Sequence, residues 1–237
     1  MRPLSISARL RCCADLVPPG GTVADVGCDH GYLSIYLLQQ GLAAHIVATD
    51  LREKPLQRAR ENAALHGVAD RMDFLRTSGL QGVDTPCDTV IAAGMGGDKI
   101  AEILEACPWT RTAPVTLVLQ PQTSGNDLRR YLGARGYAIQ EERLTKDAGR
   151  LYFAMRTVYG GGRPLSPGEQ FVSPQLLASG SPLLPAYFDR VLAGLVRTLA
   201  GMAQGTGPAD PREDYYRTAL REVKEMQKSY ENGTGCL

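Results

Sequence analysis

Residues 24–33 read Ala-Asp-Val-Gly-Cys-Asp-His-Gly-Tyr-Leu. Asp25 ends a short β-branched run. Gly27 and Gly31 then open a helix-like one, with Cys28, Asp29, His30 and Tyr32 filling the turn. An acid at a strand end followed by glycines at a helix start is how α/β proteins hold nucleotide-like ligands. Dinucleotide turns carry GxGxxG, so that a pyrophosphate meets the helix N-terminus. Here Asp29 stands where a middle glycine often lies. A carboxylate at that place repels pyrophosphate and attracts an ammonium or sulfonium. Asp50, 25 residues past Asp25 and followed by Leu51, is spaced to accept hydrogen bonds from two ribose hydroxyls. Ser78, Gly79 and Leu80 follow a third apolar run and are expected near an adenine ring.

These residues need elements to place them. Strand-like runs at 22–25, 45–49, 72–76, 87–92 and 115–119 alternate with helix-like runs at 33–41, 54–66, 100–106 and 126–135. Gly67 sits where a helix-terminating glycine belongs. Such alternation implies a parallel sheet with helices on both faces. Two further strand-like runs, 137–144 and 151–158, are separated by Lys146-Asp147-Ala148-Gly149. That connection is too short for a parallel crossover, so an antiparallel hairpin is predicted. The expected fold class is α/β, a Rossmann-like and mostly parallel seven-stranded sheet ending in an antiparallel hairpin. Closure by a hairpin is characteristic of S-adenosylmethionine-dependent methyltransferases, and the DxGxxxG spacing resembles their donor turn. Gly27 and Gly31 alone would serve equally as a plain tight turn. With Asp50 and the hairpin added, the reading is a site for S-adenosylmethionine.

Outside the sheet, residues 1–16 are predicted as a helix with Arg2, Arg9 and Arg11 off its apolar face, broken by Pro18-Pro19-Gly20-Gly21. Residues 159–185, rich in Gly, Pro and Ser, read as a partly ordered linker. Phe188, Val191, Leu195, Leu199 and Met202 form one apolar stripe, and Tyr216, Ala219, Val223, Met226 and Tyr230 a second. With 205–211 as the turn, they predict a C-terminal α-helical hairpin packed like a coiled coil. The expected division is 1–158 as methyltransferase domain and 159–237 as linker and hairpin.

With 237 residues, 43% hydrophobic and 22% charged, the chain can bury a sizeable core. Its net charge of +1 points to no particular partner, so a local basic patch is what matters for RNA. Six cysteines without a CxxC pair or a histidine at ligand spacing read as reduced thiols of a cytoplasmic protein, with no metal. No long apolar run suggests a signal peptide or membrane span. A monomer is the default expectation.

Further motifs sharpen the reading. Leu4-Ser5 with Arg9-Leu10, Asp25-Val26-Gly27 with Asp29-His30 and Tyr32-Leu33, Gly79-Leu80, Ala93-Gly94-Met95-Gly96-Gly97 and Leu119-Gln120-Pro121 stand in order along the chain. With the helical hairpin, they make the chain resemble the bacterial tRNA (adenine(22)-N(1))-methyltransferase family over nearly its whole length. Cys28 stands where that family commonly has serine, and Gln122 where it commonly has asparagine.

The resemblance implies methylation of adenine N1 at tRNA position 22, giving 1-methyladenosine, with tRNA as partner. Ala93, Gly94, Met95 and Gly96 would border the donor; Arg9, Arg11, Gln120, Pro121 and Gln122 would bind substrate. Methylases of exocyclic amines commonly carry [DN]PP[YFW] after the fourth strand, whereas this chain offers backbone and space. A ring nitrogen has an in-plane lone pair and needs no deprotonation, and its product is cationic. Asp29 is the candidate to stabilise that charge or to act as a base; it would equally serve as a donor clamp or a helix cap. His30 orients it, contacts the base, or only bonds locally.

Basic residues have two readings as well. Arg52, Lys54, Arg58 and Arg60 would grip phosphates or form a solvated helix face. Arg197, Arg217, Arg221, Lys224 and Lys228 would brace tRNA or meet a protein partner. Two other functions stay open: a methyltransferase acting on another RNA or a small molecule, and an inactive donor-binding module acting through its hairpin.

Overall fold

The computed structural model describes residues 4–112, 114–204 and 210–233. The expectations for Arg2, for most of the 205–211 turn and for Cys236 lie outside the described residues. Seven strands form one sheet: β1 (Gly21–Val26), β2 (Ala43–Asp50), β3 (Met72–Arg76), β4 (Thr89–Met95), β5 (Thr116–Pro121), β6 (Tyr137–Asp147) and β7 (Arg150–Tyr159). Their order is β3-β2-β1-β4-β5-β7-β6. β1 to β5 are parallel, while β7 runs antiparallel to both β5 and β6. The order reverses between β1 and β4, which opens a crevice at their carboxyl ends. Register levels that edge: Val26 of β1 lies beside Thr49 of β2 and Ala92 of β4.

Helices cover both faces. α1 (Ala8–Ala14), α2 (Tyr32–Gln39) and α3 (Glu53–Leu65) bury Cys13, Ile35, Leu37 and Leu56 against β1 and β2. α4 (Gly97–Glu105) and α5 (Gly125–Ala134) bury Ile100, Leu104, Leu128 and Leu132 on the other side. α1 is shorter than predicted: it starts only after Ser7, whose hydroxyl accepts the Leu10 amide and so caps it. The β6–β7 hairpin is tighter than predicted. Ala148 and Gly149, both at positive φ, make a two-residue turn, so Lys146 and Asp147 stay in the strand.

Residues 159–185 differ most from expectation. Instead of a linker they carry α6 (Pro167–Phe171) and α7 (Pro174–Ala178). Ser166 and Glu169 form a reciprocal capping box, and the Ser173 hydroxyl caps α7 through the Leu176 amide. Both helices begin Ser-Pro, a start signal that composition alone obscured. They are held by a buried ion pair. Arg129 of α5 grips Glu142 of β6 at 2.8 and 3.1 Å and donates to the carbonyls of Gln170 and Phe171 at 3.0 Å. Ser173 donates to the same carboxylate.

The two stripes form α8 (Leu184–Ala203) and α9 (Glu213–Glu231), which pack together, with α6 also against α9. Their apolar residues do not make a separate core. Phe188, Leu195, Ala219 and Val223 belong to one buried cluster with Leu117, Leu119 and Met155 of the sheet.

Candidate active site

The turn after β1 is built from three left-handed residues, Gly27 (φ +69), Asp29 (φ +50) and Gly31 (φ +73). Aspartate tolerates this region better than most side chains. The amides of Gly27 and Cys28 both donate to the Thr49 carbonyl, at 2.8 and 2.9 Å, which ties the turn to the end of β2. Gly31 serves packing: a Cβ there would lie 3.1 Å from that of Ala59, where α2 meets α3.

Around this turn lies a cavity of about 430 Å³. Asp25, Asp29, His30 and Asp50 line it from β1, the turn and β2, and Gly94 and Met95 from β4. Arg9 of α1 and Gln122 beyond β5 complete it. Gly27, Cys28, Tyr32 and Ala93 also border it.

Asp25 is buried and accepts the Ser34 hydroxyl at 2.5 Å. Burial pushes its carboxyl up to about 6, against the Ser34 hydrogen bond and with help from the charge of Asp50. Such a group gains most from a cationic ligand. Asp50 is nearly buried, and its Oδ1 accepts the Arg52 amide at 2.9 Å. Burial, followed by the charges of Asp25, Asp50 and Asp29, pushes the Cys28 thiol far up and keeps it neutral.

Asp29 and His30 form the rim. The Asp29 carboxylate is 62% exposed, and its oxygen lies 3.6 Å from His30 Nε2, longer than a hydrogen bond. The His30 ring stacks on Tyr32, centroids 5.7 Å apart at 28°. Asn62 of α3 donates to the His30 carbonyl at 2.9 Å and fixes that backbone.

The glycines after β4 have separate jobs. Gly94 (φ +81) leaves room for Arg9, since a Cβ would stand 3.3 Å from its guanidinium and 3.6 Å from Gln122 Nε2. A Cβ on Gly96 would meet Thr123 Oγ1 at 3.2 Å, and one on Gly97 would overlap the Ser124 carbonyl oxygen at 2.3 Å. Gly96 and Gly97 therefore let the β5 exit pass close by.

Arg9 is held from behind. Gln120 is fully buried, and its Oε1 accepts Arg9 Nη1 at 2.7 Å and the Gly94 amide at 3.2 Å. Its Nε2 donates to the Pro121 carbonyl. Gln120, expected at the substrate, thus stands behind the wall, Pro121 lines an adjoining cavity instead, and Arg9 and Gln122 reach this one. Arg11 turns away and stacks 4.6 Å over Tyr36.

Several expected donor contacts stand outside the cavity wall. Leu80 is core, and Leu51 is 65% exposed beside α3. Gly79 has its carbonyl bound by Thr49 Oγ1 at 2.9 Å, and Ser78 next to it is exposed. Gly31 and Gly96 shape the backbone only. Ser34, Thr49 and Asn62, which fix the acids and the turn, were not singled out in the sequence. Their partners are distant or made by backbone, so spacing carries no sign of them.

Basic side chains elsewhere are partly spoken for. Arg60 pairs with Glu53, and Arg217 and Arg221 pair with Glu213 and Glu225 along α9. Among the described residues no cluster of three or more His, Cys, Asp or Glu could hold a metal, and no helix is long and apolar enough to cross a membrane.

A parallel sheet closed by an antiparallel β7, with two strand-end acids around one glycine turn, defines a Rossmann-like methyltransferase fold. The chain belongs to the family described as a methyltransferase domain, which matches residues 6–155. It is 31% identical over 153 residues to a Bacillus subtilis tRNA (adenine(22)-N(1))-methyltransferase. That match spans 64% of this chain and 64% of that curated relative. Two solved structures match more fully. A Streptococcus agalactiae protein of the NADB-Rossmann superfamily is 30% identical with a TM-score of 0.80, covering 94% of this chain and 97% of that one. The Streptococcus pneumoniae protein Sp1610, in complex with S-adenosyl-L-methionine, is 28% identical with a TM-score of 0.78, covering 93% and 99%.

Proposed function

We propose that the protein methylates N1 of adenine at position 22 of tRNA, with S-adenosylmethionine as donor and 1-methyladenosine as product. The observation that carries the reading is a cavity with a buried carboxylate on its floor and bare backbone at Gly94. The likeness to the Bacillus subtilis enzyme supplies the acceptor.

The residues present fit the donor. Asp25 lies where the donor's ammonium gives it a counter-charge, and Asp50 keeps acceptor capacity for ribose hydroxyls. Met95 and Tyr32 offer apolar contact, and the Asp29 carboxylate on the turn disfavours a pyrophosphate. When bound, S-adenosylmethionine supplies an electrophilic methyl group on a sulfonium.

The chain's own part is positioning and electrostatics. Gly94 leaves the approach to the methyl open to a flat ring. No side chain from residues 94–97 grips an exocyclic amine, which favours a ring nitrogen whose lone pair is already free. Asp29 at the rim offers negative charge to the adenine as it becomes cationic. Arg9, steadied by Gln120, presents its remaining N–H groups to RNA at the mouth. The five thiols among the described residues are buried and free, which suits a cytoplasmic setting.

The test is incubation with labelled S-adenosylmethionine and unmodified tRNA, followed by nucleoside mass spectrometry. Labelled 1-methyladenosine is expected; its absence across a complete tRNA pool overturns the reading.

A further inference from the structure

A second cavity, of about 270 Å³, adjoins the first, and Gln122 belongs to the wall of both. Its floor is aromatic and fixed. Phe153 is buried, meets Tyr187 edge-on with centroids 6.3 Å apart at 87°, and has the Arg129 guanidinium 4.1 Å from its ring centre. Gly125 makes room for it, since a Cβ there would lie 2.6 Å from Phe153 Cζ. Tyr152 adds a half-buried wall, with the Arg9 guanidinium 5.9 Å from its ring centre.

The rest of the wall mixes apolar Pro121, Leu151 and Phe171 with polar residues from the β5 exit. The side chains of Gln122, Thr123 and Ser124 make no hydrogen bond among the described residues. Ser7, Ser166 and Ser173 all cap their helices, but Ser124 begins α5 at φ +53 without a cap bond. Arg190 stands exposed at the rim, 4.9 Å over the Tyr187 ring, with one N–H of its guanidinium given to the Leu151 carbonyl.

Aromatic walls, free hydrogen-bonding side chains and arginines at the mouth suit a flat ring with a polar edge on a phosphate chain. We propose that this cavity holds the nucleobase adjoining the methylated adenine, an inference that rests on RNA being the substrate. Tyr152 stacks on that base, Thr123 and Ser124 meet its edge, and Arg190 meets the phosphate. At 270 Å³ the space is below the usual span of ligand pockets, about 300–1,000 Å³, and takes a single base. Two adjacent bases thus leave the stack together, with Gln122 dividing them. The enzyme fixes its target partly by holding the neighbour.

The test is steady-state methylation of tRNA carrying an abasic residue on one side of the target or the other. Wild type is compared with Tyr152→Ala, Tyr152→Phe and Arg190→Gln. One of the two abasic positions is expected to raise KM roughly ten- to a hundredfold, and Tyr152→Ala to do the same on intact tRNA. Combined, the two changes should cost no more than either alone, while Tyr152→Phe stays within about twofold. Arg190→Gln, at an exposed position, should raise KM several-fold. Donor affinity by calorimetry and Tm should hold in every variant. If Tyr152→Ala does not fold, the abasic substrates and Arg190→Gln decide. An intact tRNA that is methylated with abasic neighbours and both variants without effect, or with additive effects, overturns the cavity assignment alone. Failure to methylate intact tRNA overturns it together with the tRNA reading.

Discussion

Of the three carboxylates that line the site, Asp25 and Asp29 differ most in kind. Asp25 is buried and held at about 6, above its ordinary 3.8. Between those values the folded chain keeps a proton that the unfolded chain releases, so stability falls as pH rises from about 4 to about 6. The cost carried at neutral pH is on the order of 3 kcal/mol. Asp25→Asn is therefore expected to hold or raise Tm at pH 7.5 while weakening donor affinity at least tenfold, as read by calorimetry. In the wild type, donor affinity should climb with pH through about 6; a flat profile between pH 5 and 8 would remove the ammonium role. Asp29 is exposed at the rim. Asp29→Asn keeps a side chain suited to positive φ, so donor binding should persist within about threefold while kcat drops about a hundredfold. Unchanged methylation would return Asp29 to capping or clamping.

At the scale of elements, the glycines after β4 show what a motif conceals. Read as a string, Ala93-Gly94-Met95-Gly96-Gly97 resembles a ligand loop. In the fold only Gly94 of the three glycines faces the cavity, between Ala93 and Met95, while Gly97 exists because the Ser124 carbonyl occupies the place of its Cβ. Gly97→Ala is expected to destabilise by about 1–3 kcal/mol in urea titration and to lose methylation by parting the two strand exits. The strands and the closing hairpin were legible because their apolar runs and turn residues are local. α6 and α7 were not, because Gly160-Gly161-Gly162 and five prolines dominate the composition of 159–185 while their anchor, the Arg129–Glu142 pair, joins distant positions. Glu142→Gln leaves a buried guanidinium half-paired, and a loss of about 3–5 kcal/mol is expected.

Across the whole molecule, the core of the sheet continues without a break into α8 and α9. A scan of thermal unfolding should give one transition seen alike by near- and far-UV dichroism; two separate transitions would mean that the helical hairpin folds on its own. The donor half of the site was legible as strand ends and glycines. Of the proposed acceptor half, Arg9 and Gln120 were named only through the family resemblance, and Tyr152 was not named, because the fold brings it from β7 to the Arg9 guanidinium. The same gathering has a bearing on synthesis. Arg9 takes its position from Gln120, and its amide from Asp147 at the hairpin tip. A nascent chain that has released only its first five strands owns the glycine turn, the strand-end acids and Gln120, but neither Asp147, which holds the Arg9 amide, nor Tyr152 beside its guanidinium. On the ribosome, competence for the acceptor must therefore trail competence for the donor, and arrives only once the last strands leave the exit tunnel.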